Sequence, residues 1–135
     1  MTEIPAAVNT LILGATCFGC GAAAVDAEHS LILERTTVAG RDFALTFFPG
    51  GPGTDRPLAP EAQELRREAV ARHALVGGRL QIAALSPLLA DWCLKRKLNI
   101  LFACDVLELA EDRATFLAAD GLHTVKFAKL VDAEP

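Results

Sequence analysis

The sequence predicts an α/β domain: a Rossmann-like parallel sheet with helices packed against it, plus a three-stranded antiparallel meander. Three observations predict it. Two apolar runs, Thr10-Leu11-Ile12-Leu13 and Ser30-Leu31-Ile32-Leu33, flank a glycine-rich turn and a stretch of small residues, the order of a strand–helix–strand unit. A continuous apolar run, Asn99-Ile100-Leu101-Phe102-Ala103, follows a helical pattern, as expected of a strand buried on both faces. Val106-Leu107-Glu108-Leu109, Ala114-Thr115-Phe116-Leu117 and Thr124-Val125-Lys126-Phe127 then follow closely, punctuated by Asp112-Arg113 and Asp120-Gly121, which reads as a meander.

The first turn, Gly14-Ala15-Thr16-Cys17-Phe18-Gly19-Cys20-Gly21, carries the chemistry. A glycine directly after a strand permits a tight turn. Gly19 lets the following helix sit close to the strand and lets a pyrophosphate approach the backbone. The first free amides of that helix, aligned with its dipole, favour phosphate charge. Glu34 ends the second apolar run, twenty residues after Gly14, where it is placed to accept hydrogen bonds from the ribose hydroxyls of an adenosine. These are the parts of a dinucleotide cradle. The middle glycine of the usual Gly-x-Gly-x-x-Gly is Thr16, whose β-carbon narrows the approach to the phosphates.

Gly21-Ala22-Ala23-Ala24-Val25-Asp26-Ala27 predicts a short helix of small side chains that ends near His29. From about 36 to 60 the chain is loop-like, broken by Gly40, Pro49-Gly50-Gly51-Pro52-Gly53 and Pro57. Within it, Phe43-Ala44-Leu45-Thr46-Phe47-Phe48 fits a brief strand or an apolar flap, and so long a loop is more often functional than not. A helix starts at about Pro60, with Glu61, Glu64 and Glu68 interleaved with Arg66, Arg67 and Arg72 as a solvated face, and Gly77-Gly78 ends that element. Ser86-Pro87 reads as N-cap and first position of a helix through Lys97, with Leu88, Leu89, Trp92 and Cys93 at helical spacing.

Composition narrows the function classes. With 135 residues, 52% apolar and 22% charged, the chain is read as one folded domain. Its net charge of −4 argues against a nucleic-acid partner, and Lys95-Arg96-Lys97 reads as a solvated helix C-terminus. Ile4 to Val25 carries no charge, but Glu3 precedes it, Asn9 and Thr10 interrupt it, and Gly14, Gly19 and Gly21 break it. Signal-peptide and membrane-span readings are therefore rejected, and a cytoplasmic protein is expected. His29, His73 and His123 are scattered, and none is read as a general base. Cys17 and Cys20 form a C-x-x-C at a strand-to-helix junction, where a redox pair would sit, although small thiols packed in a turn explain them as well. Cys93 and Cys104 lie eleven apart, so no zinc spacing arises and no metal is expected.

With these motifs in order, the chain resembles the N-terminal half of the FAD-dependent oxidoreductases with two dinucleotide-binding domains. The resemblance rests on Gly14-Ala15-Thr16-Cys17-Phe18-Gly19, on Leu31-Ile32-Leu33-Glu34-Arg35, and on the helix–strand–meander order from Ser86 to Phe127. Lys129-Leu130-Val131-Asp132-Ala133 is similar to the segment leading into the family's Ala-Thr-Gly motif, with Glu134-Pro135 in place of Thr-Gly. The resemblance implies FAD as cofactor. It places Gly14, Ala15, Thr16 and Gly19 at the phosphate turn, Glu34 at the ribose, Arg35 near the adenosine or pyrophosphate, and the backbone of Val106 at the adenine edge. It also implies that residues 105–128 form the antiparallel meander and that the loop from Val38 to Gly53 approaches the flavin ring.

The family's Gly-Asp motif and substrate-binding domain have no counterpart in these residues, so 1–135 is read as a single partial FAD-binding domain without a named catalytic residue. Other readings stay open at this point. The chain is a non-catalytic fragment, a split subunit completed by a second chain, an NAD-binding module, or a thiol redox protein using Cys17 and Cys20.

Overall fold

Strand β1 (Ala7–Leu13) runs into Gly14, and the main sheet is built outward from it on both sides. The structure is a computed structural model, and it describes residues 3–44 and 59–135. On one side of β1 lies β2 (Ser30–Leu33), parallel and with Leu11 opposite Leu31, and then the edge strand β5 (Ile100–Leu101), parallel to β2. On the other side lies β8 (Gly121–Asp132), parallel to β1 with Leu11 opposite Leu130. Antiparallel β7 (Arg113–Ala118) and β6 (Asp105–Leu109) complete the sheet, whose order is β5-β2-β1-β8-β7-β6. The parallel part thus runs third, second, first, fourth, the order expected of a Rossmann-like half. Leu130-Val131-Asp132 is the end of the meander's own last strand, because the twelve residues of β8 pair with β7 first and β1 later.

Alternation along the strands buries the parallel sheet on both faces. Ile12 and Ile32 point to one side, into a core shared with Ala23, Leu89, Trp92 and Cys93 of the helices. Leu11, Leu31 and Leu33 point to the other, into a second core with Ala114, Phe116, Val125 and Phe127 of the meander. The molecule is therefore three layers: helices, parallel sheet, and meander folded over the far side. This double burial explains why the strands read as unbroken apolar runs.

The helices are α1 (Cys17–Ala24), α2 (Arg41–Ala44), α3 (Pro60–Ala71) and α4 (Ile82–Lys95), with a short 3-10 turn over Ala27–His29. Gly77-Gly78 does not end α3, which stops at Ala71. It makes the turn of a two-residue-per-strand hairpin, β3 (Leu75–Val76) with β4 (Arg79–Leu80). Helix α4 begins at Ile82, four residues before the predicted Ser86 cap, and runs through Pro87. Burial of Leu85, Leu88, Leu89, Trp92 and Cys93 outweighs the one ladder bond that proline removes. Phe43, predicted as part of a strand or flap, lies in α2, and Leu45 to Phe48 fall outside the described residues. The basic run at the end of α4 also makes contacts the sequence reading did not foresee. Lys95 pairs with Asp91 at 3.2 Å and reaches Glu68 of α3 at 3.7 Å, Arg96 pairs with Glu64, and Arg72, just past the end of α3, returns to Asp91 at 2.5 Å. Half-exposed pairs of this kind contribute little to stability. Among the described residues, no helix is long and apolar enough to cross a membrane.

Candidate functional site

The site is the turn between β1 and α1. Gly14 adopts φ +98°, a conformation that side chains rarely take, and its N–H donates to Leu33 O at 2.8 Å. A β-carbon there would stand 3.1 Å from Ala133 O, since the segment after β8 passes directly over the turn. At Gly19 the approach is closer still. A β-carbon would lie 2.1 Å from Gly14 O, so only glycine lets the first turn of α1 rest on the end of β1.

Thr16, the departure from the glycine pattern, is the N-cap of α1. Its Oγ1 accepts from Gly19 N–H at 3.0 Å and donates to Ala133 O at 3.0 Å, tying helix, turn and tail together. Replacing Thr16 with alanine is expected to lower stability by about 1–2 kcal/mol, and with serine by less than about 0.5 kcal/mol, because serine keeps both bonds. Urea unfolding midpoints check this; equal midpoints for the alanine and serine variants would contradict the capping role.

Glu34 lies at the end of β2, completely buried. Its Oε2 accepts from Ala15 N–H at 2.7 Å, and its Oε1 accepts from Thr36 N–H at 2.7 Å and Thr36 Oγ1–H at 2.8 Å. Arg41 of α2 completes the set, with Nε 3.2 Å from Oε1. Charge and hydrogen-bond donors together make such burial of a carboxylate tolerable. The guanidinium of Arg41 also pairs with Glu134, so it bridges two acids above the turn.

Helix α2 is fixed at the mouth of the turn by Gly40 N–H, which donates to Ala15 O at 2.8 Å. From there Asp42 reaches the first amide of α1: Cys17 N–H lies 3.4 Å from its Oδ1 and 3.3 Å from its Oδ2. Burial pushes the Asp42 carboxyl above the usual carboxylate range, opposed by that amide and by Arg41.

Gly14, Ala15, Thr16, Gly19 and Glu34 therefore come together in one place. Arg35 does not join them: its side chain is 68% exposed and lies 3.9 Å from Asp105. Val106 sits on the outer strand β6, two residues beyond Cys104, whose N–H donates to Glu34 O at 3.0 Å. Sequence reasoning missed Thr36, Arg41 and Asp42. Nothing periodic marks them, and Arg41-Asp42 lies in a segment that reads as loop. The only hint was Gly40, one residue before a charged pair.

The thiols take no part in this site's polar network. Cys17 is half-buried and Cys20 and Cys93 are buried, all in the helix-side core, so a cysteine far away in sequence joins the C-x-x-C. Burial, then the Asp42 carboxylate, then Cys93 push the Cys17 thiol up to about 12. The hydrogen bond to Cys93, then burial, push Cys20 up as well. A redox nucleophile needs the opposite shift. Among the described residues no group of three ligating side chains could hold a metal. An apolar cavity of about 480 Å³ opens beside α1, lined by Phe18, Leu65, Leu88 and Trp92. Its walls are mainly carbon, with Glu61 and Arg66 among the lining residues.

No family model and no curated protein matches this chain. Solved structures do. A flavoprotein/dehydrogenase from Cytophaga hutchinsonii is similar over 94% of this chain and 39% of its own, at 14% identity and a TM-score of 0.58. The flavin-dependent monooxygenase PieE, solved with FAD and substrate, is similar over 95% and 30%, at 17% identity and a TM-score of 0.62. The myxobacterial chondrochloren halogenase CndH, a variant of the FAD-dependent halogenases, is similar over 96% and 38%, at 14% identity and a TM-score of 0.58. At such identities the likeness is one of fold. The fold is Rossmann-like, with the architecture these flavoproteins share, and this chain spans less than half the length of each of the three.

Proposed function

We propose that this chain is the FAD-binding portion of a flavin-dependent oxidoreductase and that it holds the ADP half of FAD. The observation that carries this reading is the approach at Gly19, which brings the amides of α1 to the end of β1 beside a buried acid on β2. That is the backbone a pyrophosphate and a ribose need. The three-layer fold with the meander on the far side, in common with the flavoproteins above, favours FAD over NAD. In this reading the turn Gly14-Ala15-Thr16 and Gly19 receives the pyrophosphate, Glu34 the ribose hydroxyls, the Val106 backbone the adenine edge, and Arg35 flanks the adenosine.

When bound, FAD supplies transfer of a hydride or electron pair. The chain's own residues bind and orient it. In the same reading the loop from Val38 to Gly53, of which 45–53 lie outside the described residues, approaches the flavin ring, and the substrate site comes from further sequence or from a second chain. Raised pKa values at Cys17 and Cys20 count against the rival chemistry that uses those two thiols.

Titration of the purified chain with FAD, ADP, FMN and NAD tests the reading. FAD saturates, ADP competes with it, and FMN does not, since FMN lacks the adenosine half. A Glu34→Gln variant, shown by circular dichroism to be folded, binds ADP about tenfold more weakly through loss of charge-assisted hydrogen bonds. Absence of ADP binding, or FMN binding that ADP does not affect, would overturn the assignment; tighter binding of NAD than of FAD would overturn the choice of cofactor.

A further inference from the structure

We infer that α2 is a built-in occupant of the nucleotide cradle, with Asp42 standing in for a phosphate at the first amide of α1. The inference rests on the reading of the cradle given above and adds a self-occluding contact to it. Three observations carry it.

The first is position. Both carboxylate oxygens of Asp42 lie 3.3–3.4 Å from Cys17 N–H, the amide that opens an eight-residue helix. A helix N-terminus favours one anion there, and a phosphate and a carboxylate cannot share that amide. The second is enclosure of the ribose acid. Glu34 is fully buried, its Oε1 meets Thr36 N–H, Thr36 Oγ1–H and the Arg41 guanidinium, and its Oε2 accepts from Ala15 N–H. For ribose hydroxyls to reach Oε1, Arg41 must withdraw, and Arg41 and Asp42 are neighbours in the same short helix.

The third is the way α2 is tethered. It is held by Gly40 N–H to Ala15 O and by the Arg41 pair with Glu134, while the burial of Asp42 disfavours its charge. Nucleotide binding therefore exchanges one anion at the helix end for another. It also releases Arg41 from Glu34 and Glu134, to a place where it can meet phosphate charge. The apo chain keeps its cradle closed and satisfied, and the ligand must displace α2.

The experiment is calorimetric titration of ADP into the wild-type chain and into its Asp42→Asn and Asp42→Ala variants, each checked for folding by circular dichroism. Asparagine keeps the shape and removes the charge, whereas alanine removes the side chain altogether, so the pair covers misfolding of either one. Both variants are expected to bind ADP about tenfold more tightly than wild type, the scale of a charge lost from a helix N-terminus. Equal or weaker binding in the variants overturns the occlusion while leaving the cradle standing. No ADP binding by any of the three chains overturns the cradle and the occlusion together.

Discussion

A Gly19→Ala chain is expected to lose at least about 3 kcal/mol of stability, a large fraction of the roughly 5–15 kcal/mol that holds a typical domain folded. The new β-carbon would meet a backbone carbonyl at 2.1 Å, and neither partner is the free end of a flexible side chain. Relief requires α1 to lift from β1. That lift breaks the Thr16 cap and opens the core at Cys20 and Ala23, both almost completely buried. Gly21, two residues along the same helix, is the control, because a β-carbon there has nothing among the described residues within 4 Å. Gly21→Ala is expected to be neutral or to stabilise by up to about 1 kcal/mol, through helix propensity and a less flexible unfolded chain. Urea denaturation of the two variants measures the contrast. Equal midpoints would mean that α1 does not rest on the turn.

Glu34→Ala is expected to destabilise by about 3–5 kcal/mol, because the Arg41 guanidinium is left largely buried with its inner partner gone. The Ala15 and Thr36 amides lose their acceptor as well. A double-mutant cycle with Arg41→Ala separates the two contributions. Coupling between the sites is expected at about 1–3 kcal/mol, with the double variant more stable than the sum of single losses predicts. A single-variant loss below about 1 kcal/mol would show that the acid is not held as the structure places it. The cycle also bears on function, because the same acid is the proposed ribose partner and the same arginine covers it.

Short-range signals marked most of the parts of this domain. The unbroken runs Leu11-Ile12-Leu13, Leu31-Ile32-Leu33 and Ile100-Leu101 announced strands covered on both faces; the structure sets the first two between helices and meander and leaves Ile100-Leu101 half-buried at the sheet edge. Pro60 announced α3, and the glycines of the first turn announced a close approach. Where local signals competed, they misled. Ser86-Pro87 looks like a helix start, yet α4 begins at Ile82 because its buried face extends a further turn. Gly77-Gly78 looks like a stop and is a hairpin turn.

What the sequence by itself determined is the main strands and helices and the glycine turn beside an acid, since periodicity and turn chemistry act over a few neighbouring residues. Tertiary structure alone decided which groups that acid and those amides meet. Arg41 reaches Glu134 across 93 positions, and Asp42 reaches Cys17 across 25. Such pairings depend on how β8 and α2 return to the turn, and a charge in a loop leaves no periodic trace of the partner that folding will bring to it.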